Sequence, residues 1–394
     1  MTTRSVNLGS IAKITSGGTP DRENPTYWGG TVPWVKTTLV QNCEIGLDDI
    51  DEKITEAGLK SSSAKLIPAG SILMAMVGQG KTRGQVAILT TDAAINQNCA
   101  AIILSDEAYY RYVYQQLLFR YEEIRNASNS SGQQNLNAGL IRELRMPLPR
   151  LPEQERIAEI LVAWDTAIQK TEQLIAAKER HFAATSHLLL TSRKRLNGFS
   201  MKWGLRRADE IFENISRKGH LNEPLLSVTQ ERGVIPRDML EGRVSMPSGE
   251  RDAFKLVEPG NFVISLRSFQ GGLEHSNYRG LVSPAYTVLR ELVEIDERFF
   301  RHYFKSADFI KRLSVAVIGI RDGKQISFQD FCSIKLPFPP VDEQKAIALL
   351  LDEAEGEIGL LRDYTDALKA QKRGLMQKLL TGEWRLPVRK QKGA

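Results

Sequence analysis

The sequence predicts an α+β chain: two mixed α/β globular domains joined by two long helices that form an antiparallel coiled coil, the whole a pseudo-two-fold internal repeat. Three observations predict it. The stretch Met146 to Gln154 (MPLPRLPEQ) returns as Leu336 to Gln344 (LPFPPVDEQ), and Leu189 to Leu196 (LLTSRKRL) returns as Leu379 to Leu386 (LLTGEWRL). Both pairs are offset by 190 positions, as are Pro68 to Leu73 with Glu258 to Val263 and Asn135-Leu136 with Gln325-Ile326. Fixed-period self-similarity of this kind is the signature of duplicated architecture. Second, residues 1–146 and 199–336 carry short β-branched and aromatic runs broken by Gly, Pro, Asn and Ser. Third, apolar residues recur at a spacing of three and four from Pro152 to about Ser192 and from Asp342 to about Thr381. Sustained over about five heptads, that pattern reads as a coiled-coil seam.

The elements follow in order. The first globular domain is 1–146, with strands over Ser71–Val77 and Gln85–Leu89 and a closing helix from about Glu107 to Arg125. Residues 147–198 hold the first long helix, with its seam on Ile157, Leu161, Trp164, Ile168, Ile175, Phe182 and Leu189. Pro152 suits a first helical turn, and Asn197-Gly198 reads as the stop. The second globular domain, 199–336, has strands over Asn261–Leu266 and Tyr286–Leu289 and a closing helix from about Glu297 to Leu313. Residues 337–386 hold the second long helix, with Asp342 as N-cap and Gly382 as stop. Its seam runs through Ile347, Leu351, Ala354, Ile358, Leu361, Leu368, Leu375 and Leu379. Gly356, Gly359 and Gly374 interrupt that helix and predict either close approach or a bend. A basic tail, 387–394, ends the chain. An amphipathic helix of about 60 Å cannot bury its seam alone, and its own repeat is the obvious partner.

Composition bounds the function. The 394 residues are 42% hydrophobic and 25% charged, ordinary for a soluble globular chain. There is no apolar run of about 18 residues and no signal-peptide-like start, which predicts a cytoplasmic protein with no membrane partner. Cys43, Cys99 and Cys332 are far apart and form no CxxC pair, against a disulfide scaffold or thiolate metal site. A net charge of +6 permits an anionic partner.

Catalytic signatures fail in turn. The string Ala75 to Thr82 (AMVGQGKT) imitates a phosphate loop. A true one opens a helix, whereas Arg83 to Leu89 reads as another strand, so a hairpin is expected. The five histidines lack metal-ligand spacing, with His181 and His187 on different helix faces. No Gly-x-Ser-x-Gly elbow is present, and Pro337-Phe-Pro-Pro340 has the wrong order for an adenine-methylating tetrapeptide. What remains are polar and basic loops on matched domains. Candidate DNA-binding residues are Lys36, Thr37, Gln79, Lys81, Arg83, Asn96, Gln97, Gln133 and Gln134 in the first domain. In the second they are Gln230, Arg232, Arg267, Gln270, Arg279, Lys324 and Gln325. Arg and Lys suit guanine edges or phosphates, Asn and Gln suit adenine, and Thr suits either.

These residues carry a resemblance. The chain resembles the specificity (S) subunit of type I restriction–modification systems, from about Leu8 to Leu386. The carrying strings are Pro147–Gln154 and its echo Pro337–Gln344, the close Leu379–Gly382, Leu225–Val234 (LLSVTQERGV) and Ala94–Gln97 (AINQ). The first copy departs at Ser192, where the second has Gly382. The resemblance implies two target recognition domains, each reading half of a bipartite, asymmetric site in double-stranded DNA. It implies that the paired helices set the spacer between half-sites and dock modification subunits, two of them. S-adenosylmethionine and ATP are expected on the partner modification and restriction subunits, and no cofactor, metal or catalytic residue on this chain. Two other readings stay open from the residues: a two-headed coiled-coil adaptor that binds proteins only, and a nucleotide hydrolase using Lys81 and Thr82.

Overall fold

The computed structural model describes residues 4–78, 80–130, 135–240, 251–266, 268–316 and 326–387. The chain divides into two compact units, Met1–Thr171 with Tyr364–Ala394, and Glu172–Asp363. Each unit therefore holds one globular domain together with half of each long helix.

In the first unit, strand Arg4–Asn7 pairs antiparallel with Arg145–Leu148, the strand that leads into the first long helix. A five-stranded sheet runs Ala12–Ser16, Cys99–Leu104, Ile72–Ala75, Val86–Leu89, Cys43–Ile45. Its side chains alternate between two cores, as strand geometry requires. Ile72, Met74, Val86, Ile88, Ala100 and Ile102 pack with Tyr112, Val113 and Leu117 of helix Tyr110–Phe119. Leu73, Ala75, Ala87, Leu89, Cys99 and Ala101 pack on the opposite face with Val35, Ile45 and Ile95. Burial on both faces is why these strands read as continuous apolar runs. The first core continues into the helices through Ile157, Leu161, Met376 and Leu379.

The second unit repeats the plan. Gly204–Arg207 pairs antiparallel with Lys335–Phe338, ahead of the second long helix. A four-stranded sheet runs Phe212–Ile215, Thr287–Glu291, Phe262–Ile264, Glu274–His275. Its core is aromatic: Phe212, Phe262, Phe300, Phe304 and Phe331 interlock with ring centroids 5.0 to 6.2 Å apart. Strand Ile72–Ala75 and strand Phe262–Ile264 keep the offset of 190, but Arg4–Asn7 and Gly204–Arg207 differ by 200. The second copy is thus ten residues shorter between its opening strands and that central strand.

The long helices span Leu151–Leu190 and Val341–Leu380. Within the first unit their halves run antiparallel, with Lys372 Nζ 2.5 Å from Asp165 Oδ1. Within the second, Lys178 Nζ lies 2.7 Å from Glu357 Oε2. Every residue of the two predicted seams is buried or half-buried. Thr365 and Lys372, both buried, occupy the seam positions that the apolar series skips.

The helix ends are tied crosswise. Glu153, near the start of the first helix, is 4% exposed and accepts from Arg385 Nε and Nη2, at 2.7 and 2.6 Å. In the second unit the fully buried Glu343 receives Arg195 twice at 2.6 Å and the Trp203 indole at 2.9 Å. Beside each glutamate a buried glutamine fastens the globular domain to its helix. The Gln154 amide accepts from Tyr109 N and donates to Glu107 O and Pro149 O. The Gln344 amide accepts from Asp296 N and donates to Pro339 O.

Several expectations change. Each closing helix is two helices, Tyr110–Phe119 then Tyr121–Ser130, and Glu297–Phe304 then Ala307–Ala316. The second helix begins at Val341, so Asp342 is not its N-cap. It lies inside the first turn, where its charge suits the helix dipole, and Pro340 O accepts from Glu343 N and Gln344 N. The first helix stops at Leu190, well before Asn197-Gly198. Ser192 turns left-handed there at φ 55°, the place of Gly382 at φ 79°. Added Cβ atoms at Gly356, Gly359 and Gly374 would meet nothing within 4 Å, so close approach does not explain them.

Three outcomes follow for denaturant midpoints. Ser192→Gly raises stability by about 1 kcal/mol and Gly382→Ala lowers it by a similar amount, since only glycine adopts that conformation without cost. Gly374→Ala adds about 1 kcal/mol by helix propensity.

Candidate nucleic-acid interface

The strand pattern gathers the first domain's candidate loops at one edge. Strands Trp28–Val35 and Ala93–Ile95 run parallel, Val35 opposite Ile95, so Lys36-Thr37 and Asn96-Gln97 leave the sheet side by side. Thr37 Oγ1 donates to Asn96 Oδ1 at 2.8 Å. Gln97 is exposed and accepts from Thr19. Lys36 is tied to Glu52 at 2.6 Å and Asp51 at 3.3 Å. Burial works against the Glu52 carboxylate, yet its bonds to Lys36 and Arg22 outweigh that and hold its pKa below the usual range.

Lys81 and Arg83 lie in the connection between Ile72–Ala75 and Val86–Leu89, which pair antiparallel. The phosphate-loop imitation is therefore a hairpin, with no helix opening on it. Lys81 is exposed, and its carbonyl accepts from the Tyr121 hydroxyl at 2.5 Å. Met76, at the hairpin base, donates its N–H to Asn98 O and accepts from Leu136 N, both at 2.9 Å. That one residue brings the hairpin, the 96–98 turn and Leu136 together.

In the second domain Gln230 and Arg232 are exposed in the turn between Leu226–Thr229 and Gly233–Pro236. Arg232 donates to Met239 O at 3.0 Å. Gln270 is exposed in the helical turn Ser268–Gly271. Lys305 joins these two loops, donating to Gln230 O at 3.1 Å and Gly271 O at 3.0 Å. Arg279 is instead engaged by Glu223 at 2.7 Å and Glu258 at 2.5 Å. Gln79, Gln133, Gln134, Arg267, Lys324 and Gln325 lie outside the described residues.

One grouping escaped the histidine spacing. His302, Asp352 and Glu355 bring ligand-type atoms within 4.8 Å of one another, although fifty positions separate the imidazole from Asp352. The Arg301 guanidinium sits among them, 2.7 Å from each carboxylate and 3.0 Å from His302 Nε2. A side-chain cation already supplies the positive charge there. No helix among the described residues is long and apolar enough to cross a membrane.

Comparison with known proteins places this architecture. Residues 2–180 match the family described as Type I restriction modification DNA specificity domain. A type I restriction enzyme specificity subunit from Escherichia coli is 31% identical over 165 residues, 40% of this chain and 40% of that protein. One from Methanocaldococcus jannaschii is 22% identical over 303 residues, 70% of each chain. The solved S subunit of a type I restriction–modification system from M. genitalium superposes with a TM-score of 0.59 at 16% identity, covering 96% of both chains.

The family match covers the first globular domain and most of the first long helix. The match to the Escherichia coli relative spans less than half of that protein's length. The internal repeat and the superposition with the solved S subunit both extend the same fold into the second half.

Sequence reasoning missed Lys305 and Glu274. Glu274 is 1% exposed; it accepts from Lys305 at 2.5 Å through Oε1, while Oε2 has no hydrogen-bond partner. Burial pushes its carboxyl up to about 7, only partly offset by Lys305. Burial and the Arg301 charge pull the neighbouring His275 down to about 4. The two act oppositely on stability. Glu274 holds its proton more tightly folded than unfolded, so its contribution is present below about 4.5 and is lost as pH rises to about 7. His275 resists protonation in the fold, so its contribution is lost as pH falls from 6.5 to about 4. Glu274→Gln therefore leaves a second unit whose unfolding midpoint climbs from pH 4 to 6.5. His275→Gln leaves one whose midpoint falls between pH 4.5 and 7. Chemical denaturation across that range reads both slopes.

Proposed function

We propose that this chain is the DNA-reading subunit of a type I complex, directing it to a bipartite, asymmetric site in double-stranded DNA. The first domain reads one half-site through the edge where Lys36, Thr37, Lys81, Arg83, Asn96 and Gln97 gather, with Gln79, Gln133 and Gln134 as further candidates. The second reads the other half through the loops of Gln230, Arg232 and Gln270, with Arg267, Arg279, Lys324 and Gln325 as further candidates. The observation that carries the reading is the convergence at Met76, which puts separate polar loops on one edge, as reading several adjacent base pairs requires. Modification subunits, two of them, dock on the paired helices and bring S-adenosylmethionine; restriction subunits bring ATP. The chain itself supplies recognition and no catalytic group.

The hairpin argues against the nucleotide-hydrolase alternative. Its backbone N–H groups do not cap a helix, so the anion cradle that a phosphate loop depends on is missing.

Base-resolution methylation mapping tests the proposal, in a methylation-free host carrying this gene with its neighbouring methyltransferase gene. A methyladenine motif in two parts with a fixed gap, found only when this chain is present, is the expected result. No new motif, with the two proteins soluble and associated, sinks DNA targeting and promotes the protein-only adaptor. In the assembled complex, affinity for the mapped site falls steeply with salt, and Lys81→Ala lowers the salt slope by about 1 while weakening all sequences alike.

A further inference from the structure

The turn Thr229–Gly233 is poorly supported by packing. Two open clefts, of about 630 and 640 Å3, both border Gln230, Glu231, Arg232 and Glu274. A turn flanked by such space has no side-chain jigsaw to fix it. Beyond its own strand pairing and internal bonds, it is held by polar bonds from below.

Lys305 supplies them. Its residue follows helix Glu297–Phe304, which is anchored by the buried rings of Phe299, Phe300, Tyr303 and Phe304. The backbone beneath is held closely: Gly272 adopts φ 78°, and a Cβ there would lie 1.8 Å from Phe304 O. A Cβ on Gly271 would come within 2.9 Å of the Gln230 amide, so the two loops already touch. An ammonium has three protons to donate. Lys305 spends them on Gln230 O, Gly271 O and Glu274 Oε1, one acceptor in each loop and one in the sheet strand between them.

We infer that Lys305, oriented by Glu274, is a positioning residue for base recognition: it locks the Gln230–Arg232 turn against the Ser268–Gly271 turn and so fixes which bases the second domain accepts. The inference rests on the DNA-reading role proposed above. The strut has no counterpart in the first copy. At the offset of 190 its positions are Gln115 and Gly84, and Gln115 donates to Asp165 on the long helix instead. Loss of the strut therefore acts on one half-site only, which general destabilisation does not do.

The test uses the full chain assembled with its methyltransferase partner and duplexes carrying single base changes in either half of the mapped motif. Wild type, Lys305→Ala and the near-isosteric Glu274→Gln are compared by competition binding. Lys305→Ala is expected to cut discrimination within the second domain's half-site by about tenfold, the order of one base-pair contact. Discrimination in the first half-site stays unchanged. Glu274→Gln, which keeps an acceptor for Lys305 but no charge, gives a smaller loss in the same half-site. Unchanged discrimination in both variants overturns the inference, as does an equal loss in both half-sites. A wild-type complex with no preference in either half-site overturns the DNA-reading role itself.

Discussion

Two buried carboxylates organise this molecule. Glu153 and Glu343 sit at the first turns of the two long helices, too deep to keep water around a charge. A buried carboxylate must be paired and hydrogen-bonded or it destabilises the fold. Each is met by an arginine just beyond the end of the other helix, Arg385 for Glu153 and Arg195 for Glu343. The fork of the guanidinium matches the carboxylate in two parallel bonds, which specifies geometry as well as charge. Within each unit the antiparallel partner is thereby chosen at the helix end, and the polar pair Lys372–Asp165 adds a registry point in the first seam.

The glutamine after each glutamate passes that constraint to the globular domains. Gln154 holds the backbone just ahead of helix Tyr110–Phe119, and Gln344 holds it ahead of helix Glu297–Phe304. Those helices carry the side chains that back each sheet, Tyr112 and Leu117 in one copy and Phe300 and Phe304 in the other. The sheets in turn set where the loops emerge. Clamp, glutamine, helix, sheet and loop thus form one chain of hydrogen-bonded and packed dependence, repeated once.

Much of this was legible from residue order. Period-two alternation failed to appear in strands such as Ile72–Ala75 because they are buried on both faces, yet their apolar runs and glycine boundaries still marked them. The seams were legible because their apolar residues recur every three or four positions. Thr365 and Lys372 were not, since nothing local marks a polar residue as buried. The Glu-Gln pair was visible as a repeated string, but its role depends on an arginine 232 positions away for Glu153 and 148 positions before Glu343. Lys305 was invisible for a similar reason: its three acceptors come from loops that only the fold brings together. Ser192 misled the placement of the first helix's end, because a left-handed serine carries no glycine signal.

A double-mutant cycle on Glu153 and Arg385 tests the account most directly. Glu153→Ala, Arg385→Ala and the double variant are compared by denaturant unfolding of the full chain. The clamp predicts a coupling energy of about 2 kcal/mol, with Arg385→Ala alone nearly as damaging as any other member because it strands a buried carboxylate. Effects that add to within about 0.5 kcal/mol contradict it and reduce the pair to a surface ornament of a fold held elsewhere.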